Sequence, residues 1–552
     1  MVILDRNRWF CTSLYNGRMP TAETAPAGAR AASIDVSRLP EFRNEAFTDF
    51  SKPENRRVFK QGLDEARAEL GREYDNRIGS QRTKSAKKFM SNNPARSSEI
   101  VGVHQENTAE AAREAIAAAA LTFECWRLSK PEKRVEILLR AAAIFRRRKP
   151  YFCAWLTLEV GKSFVEADAD IGETIDFLEY YGRQQLRLSG PQPVHQLAGE
   201  RDEMVYIPLG VGAVIPPWNF PMAITAGMTA AAIVAGNTVV LKPSSDSPTV
   251  AAKLMEVLEE AGLPAGVVNF VTGGGSTVGE ALVTDPRVRF IAFTGSKAVG
   301  LDINRKAAET PKGQKWIKRT VLEMGGKDSI LVDEDADFEA AVEGVAVSAF
   351  GYQGQKCSAC SRAIVHENIY DRFVEALAAR TKKIKVGDPG DPDNYMGPVI
   401  NERSLKNTLN YIEIGKKEGR LVAGGGRGDA AGYFVEPTVF ADITPTARLA
   451  QEEIFAPVLA VIKCKSFEDG LAIANNTEYG LTGAVFTRDP KKLEQAASEF
   501  HVGNLYFNRK CTGAMVGAHP FGGFNMSGTD SKAGGPDYLL LFTQAKSIAR
   551  KL

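Results

Sequence analysis

The spacing of apolar residues separates a helical first part of the chain from an alternating second part. Up to residue 186, apolar positions recur at intervals of three and four, the period of a helix with one buried face. The pattern predicts helices over residues 53–76, 108–121, 131–148 and 154–186. Two prolines and a glycine then interrupt it, so residues 187–202 are expected to leave the body of the domain.

Beyond residue 206, short apolar runs alternate with amphipathic stretches. They predict strands at residues 211–215, 238–241, 267–271 and 288–293, and helices at residues 221–235, 247–261, 277–283 and 296–308. Repeated strand–helix–strand units with short connections predict a parallel sheet covered by helices on both faces. Ligands of such sheets bind at the carboxyl ends of the strands, so we expect functional residues directly after these strands.

A second α/β run begins near Glu323. It predicts strands at residues 330–332 and 363–365 and helices at residues 338–350, 370–382 and 402–418. The last apolar run, residues 538–542, predicts a strand-like tail, whereas residues 1–40 are small and polar and predict a weakly ordered lead. The predicted fold class is therefore α/β.

Composition and charge narrow the functional classes. The 552 residues suffice for two or three domains, and 44% apolar with 25% charged residues is typical of a soluble globular protein. The net charge of +2 predicts no affinity for nucleic acid or acidic membranes. Glycine, proline or charge interrupts each long apolar stretch, which predicts no transmembrane helix.

The cysteines and the first residues predict a cellular location. Seven scattered cysteines in a chain of this length favour a reducing compartment over a disulfide framework. Residues 1–18 lack the apolar core of a secretory signal, so the cytoplasm is the expected location. Basic residues before position 40 leave a mitochondrial alternative, which Asp5, Glu23 and Asp35 disfavour. Translation from Met19 is an alternative start of the chain.

Cys357 is the candidate nucleophile, because glycines and small residues surround it between residues 351 and 362. The thiolate is the reactive form of cysteine, and the neighbouring Lys356 is the kind of cation that lowers a thiol pKa. The alternatives are an inert buried thiol, or a redox or metal pair with Cys360. No second C-x-x-C is present to complete a zinc site, so no metal is expected.

Three polar residues lie at the ends of predicted strands. The Asn219 amide lies at a helix mouth, where it can donate to a developing oxyanion, although a helix cap is the alternative. Lys242 can reach ribose or phosphate oxygens, although most strand-end lysines lie on the surface. Glu323 can deprotonate a water molecule if burial raises its pKa, although most such glutamates are solvated.

Two further segments favour a nucleotide. Residues 293–300 read as a strand, a glycine turn and a helix start, and the N–H groups of such a turn can hold a pyrophosphate. Glu453 and Phe455 are two residues apart, so an extended segment would place them on one face, against a ribose and a nicotinamide. Each segment is weak evidence alone: the glycine turn is not a G-x-G-x-x-G motif, and a carboxylate two residues from an aromatic residue is unspecific.

From about residue 40 to its C-terminus, the chain resembles the aldehyde dehydrogenase superfamily, because these candidates occur in that family's order with its flanking residues. Three segments are similar to the pyrroline-5-carboxylate dehydrogenases within it: GQKCS at 354–358, GNLYFNRK at 503–510 and PFGGF at 520–524. The resemblance implies a Rossmann-like cofactor domain of residues 41–186 and 207–322, a catalytic domain of residues 323–526, and a β oligomerisation arm of residues 187–206 and 527–552.

The resemblance also implies a role for each candidate residue. Cys357 would be the nucleophile, Asn219 the oxyanion donor and Glu323 the base that activates water. The residues implied to hold NAD are Lys242, Ser244, Phe293, Gly295, Ser296, Val299, Glu453 and Phe455. The residues implied to bind the substrate are Glu173 beside the anchor, Phe220 and Phe521 around the aliphatic stem, and Ser358, Gly513 and Ala514 at the α-carboxylate.

The implied reaction is oxidation of L-glutamate 5-semialdehyde to L-glutamate through a cysteine thioester, the second step of proline catabolism. NAD is expected to be preferred with NADP tolerated, since Ser245 stands where many members carry a glutamate that selects the free ribose 2′-hydroxyl. An arm with an uncovered strand edge implies a homodimer or a higher homo-oligomer. The chain is too short for a fused proline dehydrogenase, so that partner is expected to be separate. The alternatives are another semialdehyde or general aldehyde dehydrogenase, and a non-catalytic protein that keeps the fold.

Overall fold

The computed structural model describes residues 35–552. Most of the predicted lead lies outside the described residues, as do the alternative start at Met19 and the first cysteine, Cys11. The rest of the lead begins with one turn of 3₁₀ helix at Val36–Arg38. In residues 35–552, no helix is long and apolar enough to cross a membrane, and no group of His, Cys, Asp or Glu side chains is arranged to hold a metal ion.

The strands are numbered in chain order. They are β1 Arg72–Tyr74, β2 Asn76–Ile78, β3 Gln81–Thr83, β4 Lys87–Asn93, β5 Arg96–Glu106, β6 Glu200–Pro208, β7 Val211–Ile215, β8 Thr238–Leu241, β9 Val268–Phe270, β10 Val288–Thr294, β11 Arg319–Glu323, β12 Ser329–Val332, β13 Arg362–His366, β14 Arg420–Ala423, β15 Thr438–Ala441, β16 Val458–Cys464, β17 Tyr479–Gly480, β18 Thr482–Phe486, β19 Asn504–Phe507, β20 Phe524–Asn525 and β21 Thr543–Lys551.

The α-helices are numbered in the same way. They are α1 Pro53–Arg67, α2 Ala109–Trp126, α3 Pro131–Arg147, α4 Lys149–Val160, α5 Phe164–Ser189, α6 Ala223–Val234, α7 Pro248–Glu260, α8 Glu280–Thr284, α9 Lys297–Ala308, α10 Phe338–Phe350, α11 Tyr370–Thr381, α12 Glu402–Glu418, α13 Arg448–Gln451, α14 Phe467–Asn475 and α15 Pro490–Glu499.

The first large sheet carries most of the predicted cofactor residues along one edge, whereas Glu453 and Phe455 lie between α13 and β16. Its order is β11-β10-β7-β8-β9-β2-β3, and the first five strands are parallel. The carboxyl ends of these parallel strands share one edge of the sheet. Asn219, Lys242 and Gly295 follow three of the strands, and Glu323 is the last residue of a fourth. The predicted strands and helices of this sheet are confirmed with small shifts at their ends, except that helix 277–283 begins as a π-helical turn at Gly275–Gly279.

The second large sheet carries the segment of the nucleophile. Its order is β14-β15-β16-β13-β12-β18-β19, with β14 antiparallel to β15 and the other strand pairs parallel. Cys357 lies between α10 and β13, the central strand. The predicted helices 338–350 and 402–418 are confirmed at both ends. Their N-termini are fixed by the Asp337 and Asn401 side chains, which accept hydrogen bonds from backbone N–H groups of the first turns.

Two predicted helices end elsewhere than expected. The helix predicted over residues 53–76 stops at Arg67, and Gly71, with φ +76°, turns the chain into β1. That strand joins a three-stranded sheet of order β1-β5-β4, which apolar spacing did not predict. The helix predicted over residues 154–186 is two helices, because Gly161 has φ +69° and ends α4 at Val160.

The predicted arm is a two-stranded ribbon in which β6 and β21 pair antiparallel. Helix α5 continues to Ser189, and the Ser531 hydroxyl donates to the Glu323 carboxylate, so both predicted arm segments also include residues outside the ribbon. The bounds of the arm stay a prediction. The strand predicted at residues 538–542 is wrong, since Tyr538–Phe542 forms a 3₁₀ helix. Burial decides this conformation: the Tyr538 ring stacks on Tyr181 with 5.4 Å between centroids.

Candidate active site

The backbone before Cys357 is held in an uncommon conformation. Tyr352, Gln353 and Gly354 have consecutive φ values of +49°, +58° and +65°. Residues other than glycine reach this left-handed region at a cost of about 1–3 kcal/mol each, so neighbouring contacts must hold them. The Tyr352 hydroxyl donates to the Val160 carbonyl at 3.0 Å, and Gln353 Nε2 donates to the Pro398 carbonyl at 2.8 Å. Buried contacts therefore fix the turn that presents the nucleophile.

Cys357 is a partly exposed free thiol. Burial raises its pKa well above the ordinary value, and the carboxyl groups of Asp328, Glu323 and Glu453 raise it further. The predicted lowering by Lys356 is wrong, because Lys356 Nζ pairs with a Glu166 carboxylate oxygen at 2.7 Å. The resting residue is therefore a thiol, and a base must remove its proton before it can act as a nucleophile.

Cys360 is the less accessible of the two neighbouring thiols. It is 2% exposed, and its Sγ contacts the Arg362 carbonyl at 3.5 Å. Among the described residues, no group of ligands that could hold a metal includes either cysteine. Exposure therefore favours Cys357 over Cys360 as the group that meets a substrate.

The Asn219 side chain lies at the nucleophile turn. It is 4% exposed, and its Nδ2 donates to the Gln355 carbonyl at 3.1 Å. Gln355 in turn accepts the Ile400 N–H through its Oε1 at 2.9 Å, so the segment is bonded on both sides. The Asn219 amide is therefore held beside the segment that leads to Cys357, and its donation to a developing oxyanion stays a prediction.

Glu323 is a buried carboxyl group at the carboxyl end of β11. Burial raises its pKa to about 8, against the lowering effect of a hydrogen bond from the Ser531 hydroxyl to Oε1. Its Oε2 atom has no hydrogen-bond partner in the described part of the chain. A pKa near neutrality and a free oxygen suit a general base, whereas the solvated alternative does not fit a side chain that is 9% exposed.

The glycine turn after β10 has the form of a phosphate cradle. A Cβ atom on Gly295 would lie 2.5 Å from Phe293 Cζ, so this position requires glycine. Ser296 precedes α9 without capping it through its side chain, and the first N–H groups of a helix lack intrahelical partners. Val299 in the first turn is 49% exposed. These residues fit a nucleotide pyrophosphate at the start of the helix.

Lys242 is buried next to the π-helical turn, unlike a surface lysine. Burial lowers its pKa to about 8, and its Nζ donates to the Pro243 carbonyl at 3.0 Å. A Cβ atom on Gly279 would lie 3.7 Å from Lys242 Cε, so the two elements meet there. Ser244 is partly exposed and Ser245 is exposed at the same strand end. The group can donate to sugar hydroxyls beside a glycine-lined surface.

Glu453 and Phe455 meet different partners. Glu453 Oε1 accepts the Gly326 N–H at 3.0 Å, and burial raises its pKa to about 7. The extended backbone predicted for this segment is wrong at Phe455, which has φ +59°. The Phe455 ring instead packs edge-on against Trp218, next to Asn219, with 5.5 Å between centroids. Glu453 and Phe455 therefore link two parts of the site: Glu453 bonds a glycine that follows Glu323, and Phe455 packs beside Asn219.

The predicted anchor loop, residues 512–517, packs on the nucleophile turn. Cys511 Sγ contacts the Ser358 carbonyl at 3.4 Å, and the Cys511 N–H donates to Ser348 Oγ at 3.2 Å. Gly513 has φ +78° and is exposed. In residues 35–552 neither the Gly513 nor the Ala514 N–H has a hydrogen-bond acceptor. Adjacent free N–H groups at a left-handed glycine form a concave donor site for an anion.

Phe220 and Phe521, the residues predicted to pack on the substrate stem, contact different parts of the protein. Lys162 Nζ lies 3.5 Å from the centroid of the Phe220 ring, which also meets Tyr352 edge-on. Phe521 is held through its backbone, since its N–H donates to the Ala533 carbonyl at 2.8 Å. No ring contact joins Phe220 and Phe521 within the described residues, so their sandwich around a substrate stem stays a prediction.

Comparison with known proteins identifies the family. A model described as the aldehyde dehydrogenase family matches residues 81–548. The chain belongs to the aldehyde dehydrogenase family. A relative from Geobacillus sp. (strain WCH70), named 1-pyrroline-5-carboxylate dehydrogenase, is 55% identical over 508 residues, covering 92% of this chain and 99% of the relative.

Two solved structures extend the comparison. A 1-pyrroline-5-carboxylate dehydrogenase from Thermus with bound NAD matches with a TM-score of 0.92 and 49% identity, over 93% of this chain and 100% of the other. Proline utilization A (PutA) from Bdellovibrio bacteriovorus matches with a TM-score of 0.91 and 44% identity, over 97% of this chain and 55% of that chain. These matches confirm the family and the fold class predicted from the sequence.

Sequence analysis missed charged residues that lie close to the nucleophile turn of this aldehyde dehydrogenase. Lys162 and Asp170 form an ion pair of 2.8 Å, with both side chains fully buried, and Asp170 also accepts the Ala223 N–H. Glu173 lies one turn beyond Asp170, and burial together with the charge of Asp170 raises its pKa to about 8. Glu173 was already named from the resemblance, whereas Lys162 and Asp170 were missed. Acidic residues at helical spacing in this segment are the signal that could have found Asp170.

Proposed function

We propose that this aldehyde dehydrogenase oxidises L-glutamate 5-semialdehyde, formed when pyrroline-5-carboxylate hydrolyses and opens, to L-glutamate, with reduction of NAD. This is the second step of proline catabolism. The Geobacillus relative and the Thermus structure are both named 1-pyrroline-5-carboxylate dehydrogenase, which supports this choice of substrate. The Thermus structure has bound NAD, which supports this choice of cofactor. The observation that carries the proposal is the contact between Cys511 Sγ and the Ser358 carbonyl, which brings the anchor loop to the nucleophile turn.

The proposed reaction begins with the removal of a proton from Cys357. Glu323 accepts it, since its pKa of about 8 lies near neutrality and its charge acts on this thiol. The thiolate attacks the aldehyde carbon, and the oxygen takes up negative charge. The Asn219 amide and the Cys357 N–H, which has no acceptor in the described residues, donate to that oxygen.

The second half of the proposed reaction releases the acid. Bound NAD accepts a hydride from the substrate carbon, which leaves a thioester on Cys357. Glu323 first releases the proton taken from Cys357 to solvent and then removes a proton from water. The hydroxide adds to the thioester, and glutamate leaves as the thiolate is restored. Two steps of lower barrier replace one difficult oxidation.

The residues at the sheet edge fit NAD. Lys242 and Ser244 would bind the adenosine ribose, the amides at the start of α9 would bind the pyrophosphate with Phe293 and Val299 beside them, and Glu453 and Phe455 would bind the nicotinamide end. Ser245 is exposed where it would meet the ribose 2′ position of the cofactor, so NADP is tolerated.

Steady-state kinetics with NAD and with NADP test this cofactor preference, and a strong preference for NADP would contradict it. Ser245→Glu should lower the efficiency with NADP and leave NAD little affected.

The anchor loop would bind the amino acid head of the substrate. The Gly513 and Ala514 N–H groups and the Ser358 hydroxyl would donate to the α-carboxylate, with Glu173 supporting this region by its charge. Phe220 and Phe521 would pack on the aliphatic stem. A site that pairs a charged head rejects analogues without it, because its donors would be left unpaired.

The decisive experiment compares catalytic efficiencies for glutamate semialdehyde and butanal. We expect glutamate semialdehyde to be favoured by about 10³-fold or more, since sites built around polar pairing discriminate strongly. Glutamate should also inhibit in competition with the semialdehyde. A ratio near one would favour the general aldehyde dehydrogenase alternative, and no reduced nicotinamide from any semialdehyde would favour a non-catalytic protein.

Assembly and location complete the proposal. We expect a homodimer or larger homo-oligomer formed through the ribbon of β6 and β21, a separate proline dehydrogenase chain as metabolic partner, and a cytoplasmic location. Five of the six cysteines in residues 35–552 are free thiols, so these residues are not built on a disulfide framework. Light scattering on the whole chain and on a chain lacking residues 543–552 tests the assembly, and cell fractionation tests the location.

A further inference from the structure

Arg509 lies beside the anchor loop and bonds its backbone. Its Nη2 atom donates to the Thr512 carbonyl at 2.9 Å and to the Gly513 carbonyl at 3.2 Å. Its Nε donates to the Lys510 carbonyl at 3.3 Å. One guanidinium group therefore binds the carbonyl oxygens of two successive peptide units in the loop.

These two bonds fix the direction of the loop's N–H groups. A trans peptide unit is planar, and its carbonyl and N–H point in opposite directions. The Thr512 carbonyl shares its peptide unit with the Gly513 N–H, and the Gly513 carbonyl shares its unit with the Ala514 N–H. Because both carbonyls point toward Arg509, both N–H groups point away from it. These are the two N–H groups that have no acceptor within residues 35–552.

The guanidinium is itself held in place. Its Cζ lies 4.4 Å from the centroid of the Tyr506 ring, a cation–π contact, and the Tyr506 ring is 6% exposed. A carbonyl that accepts a bond from a cation polarises its peptide unit, so the N–H on the other side becomes a stronger donor. Arg509 thus contributes both direction and donor strength to the loop without reaching the ligand side.

We propose that Arg509 is a positioning residue that gives the anchor loop its selectivity for an α-carboxylate. The inference rests on the proposed function, since it assigns the mechanism by which that same loop selects its substrate. The residue acts through the peptide units of Gly513 and Ala514 and does not touch the aldehyde end. Its loss should therefore weaken binding of the charged head and leave the chemistry at Cys357 unchanged.

The test compares Arg509→Met, Arg509→Lys and a surface control, Arg113→Met. The Arg113 guanidinium pairs with Glu110 at 3.1 Å on the exposed first turn of α2, and its backbone carbonyl, which accepts from Arg287, is kept in the variant. For Arg509→Met we expect the KM for glutamate semialdehyde and the inhibition constant of glutamate to rise together by about tenfold, the effect of weakening one or two hydrogen bonds. The kcat should stay within about twofold, and kcat/KM for butanal should not change. Arg509→Lys should give smaller rises in the same two constants, and Arg113→Met none.

The outcomes separate this inference from the proposed function. Equal losses for glutamate semialdehyde and butanal would assign Arg509 a purely structural role, and unchanged constants would assign it none; both overturn the inference. If Arg509→Met does not fold, as thermal melting would show, Arg509→Lys carries the same comparison, and equal losses or no losses overturn the inference there too. A wild-type protein that does not prefer the semialdehyde and is not inhibited by glutamate would overturn the proposed function itself.

Discussion

Asn219 and Gln355 are joined by a hydrogen bond of 3.1 Å, from the Asn219 amide to the Gln355 carbonyl oxygen. Asn219 follows β7 of the first large sheet, whereas Gln355 lies two residues before Cys357 on the way to the second. The bond therefore sets the distance between the proposed oxyanion donor and the nucleophile across the two sheets. Neither group can shift without moving the other or breaking a buried contact.

Replacing Asn219 should slow the chemistry more than it weakens binding. We expect Asn219→Ala to lower kcat by about 100- to 1000-fold, the usual effect of losing one oxyanion donor. Asn219→Asp, which keeps the size but places a negative charge beside the oxyanion, should be at least as slow. Formation of reduced nicotinamide at saturating substrate measures this. A kcat within a few-fold of wild type for Asn219→Ala would show that the amide only holds the Gln355 carbonyl.

The two neighbouring cysteines should respond differently to substitution. Cys357→Ala is expected to lose dehydrogenase activity, because the proposed thioester has no other sulfur to form on. Cys360→Ala should keep most of its activity, because that side chain is 2% exposed and contacts protein groups only. Mass spectrometry of the trapped enzyme with substrate should show an acyl adduct on Cys357 alone. The opposite pattern of activities would assign the chemistry to Cys360.

Activity should rise with pH through the pKa of Glu323. Burial raises that pKa to about 8, so the carboxyl group is largely protonated at pH 7 and cannot accept a proton until the pH approaches 8. The pKa of Cys357 is also raised, so more of this thiol ionises as the pH increases, and this adds to the rise in activity. We expect kcat/KM to increase between pH 7 and 9 by about tenfold. A flat or falling profile would contradict Glu323 as the base.

A matched variant links this profile to Glu323. The Ser531 hydroxyl donates to the Glu323 carboxylate and lowers its pKa. Ser531→Ala removes that donor, so the apparent pKa of the profile should move to higher pH while the shape is kept. Glu323→Gln should abolish steady turnover, since no base would remain to activate water. A Ser531→Ala profile identical to wild type would assign the pH dependence to another group.

The buried ion pair of Lys162 and Asp170 should contribute strongly to stability. Its atoms lie 2.8 Å apart and both side chains are fully buried, so Lys162→Met would leave a carboxylate without its partner in the interior. Removing one member of such a pair costs about 3–5 kcal/mol in the free energy of unfolding. The double variant Lys162→Met/Asp170→Asn should recover part of this loss, because the remaining charge is gone and the amide still accepts the Ala223 N–H. Urea unfolding followed by fluorescence measures both, and a loss below 1 kcal/mol would contradict the prediction.

The sequence by itself determined the elements and the order of the chemical groups. Helices 338–350 and 402–418 agree with the structure at both ends, because apolar periodicity and the capping residues Asp337 and Asn401 are local properties of the chain. The strands that end before Asn219 and Lys242 were predicted for the same reason, whereas the strand Arg319–Glu323 was not given by its bounds. Parallel strand–helix units then brought those ends to one sheet edge, which the alternating pattern already implied.

Only the tertiary structure decided the electrostatics of the site and the paths of its loops. The sequence predicted that Lys356 lowers the pKa of Cys357, but its ammonium group binds Glu166, 190 residues away in the chain. The pKa of Cys357 follows from burial and from carboxyl groups on three other segments. Residues 538–542 became a 3₁₀ helix because the Tyr538 ring stacks on Tyr181. Apolar spacing describes the nearest neighbours along a chain, whereas charge pairing and burial depend on segments that meet only after folding.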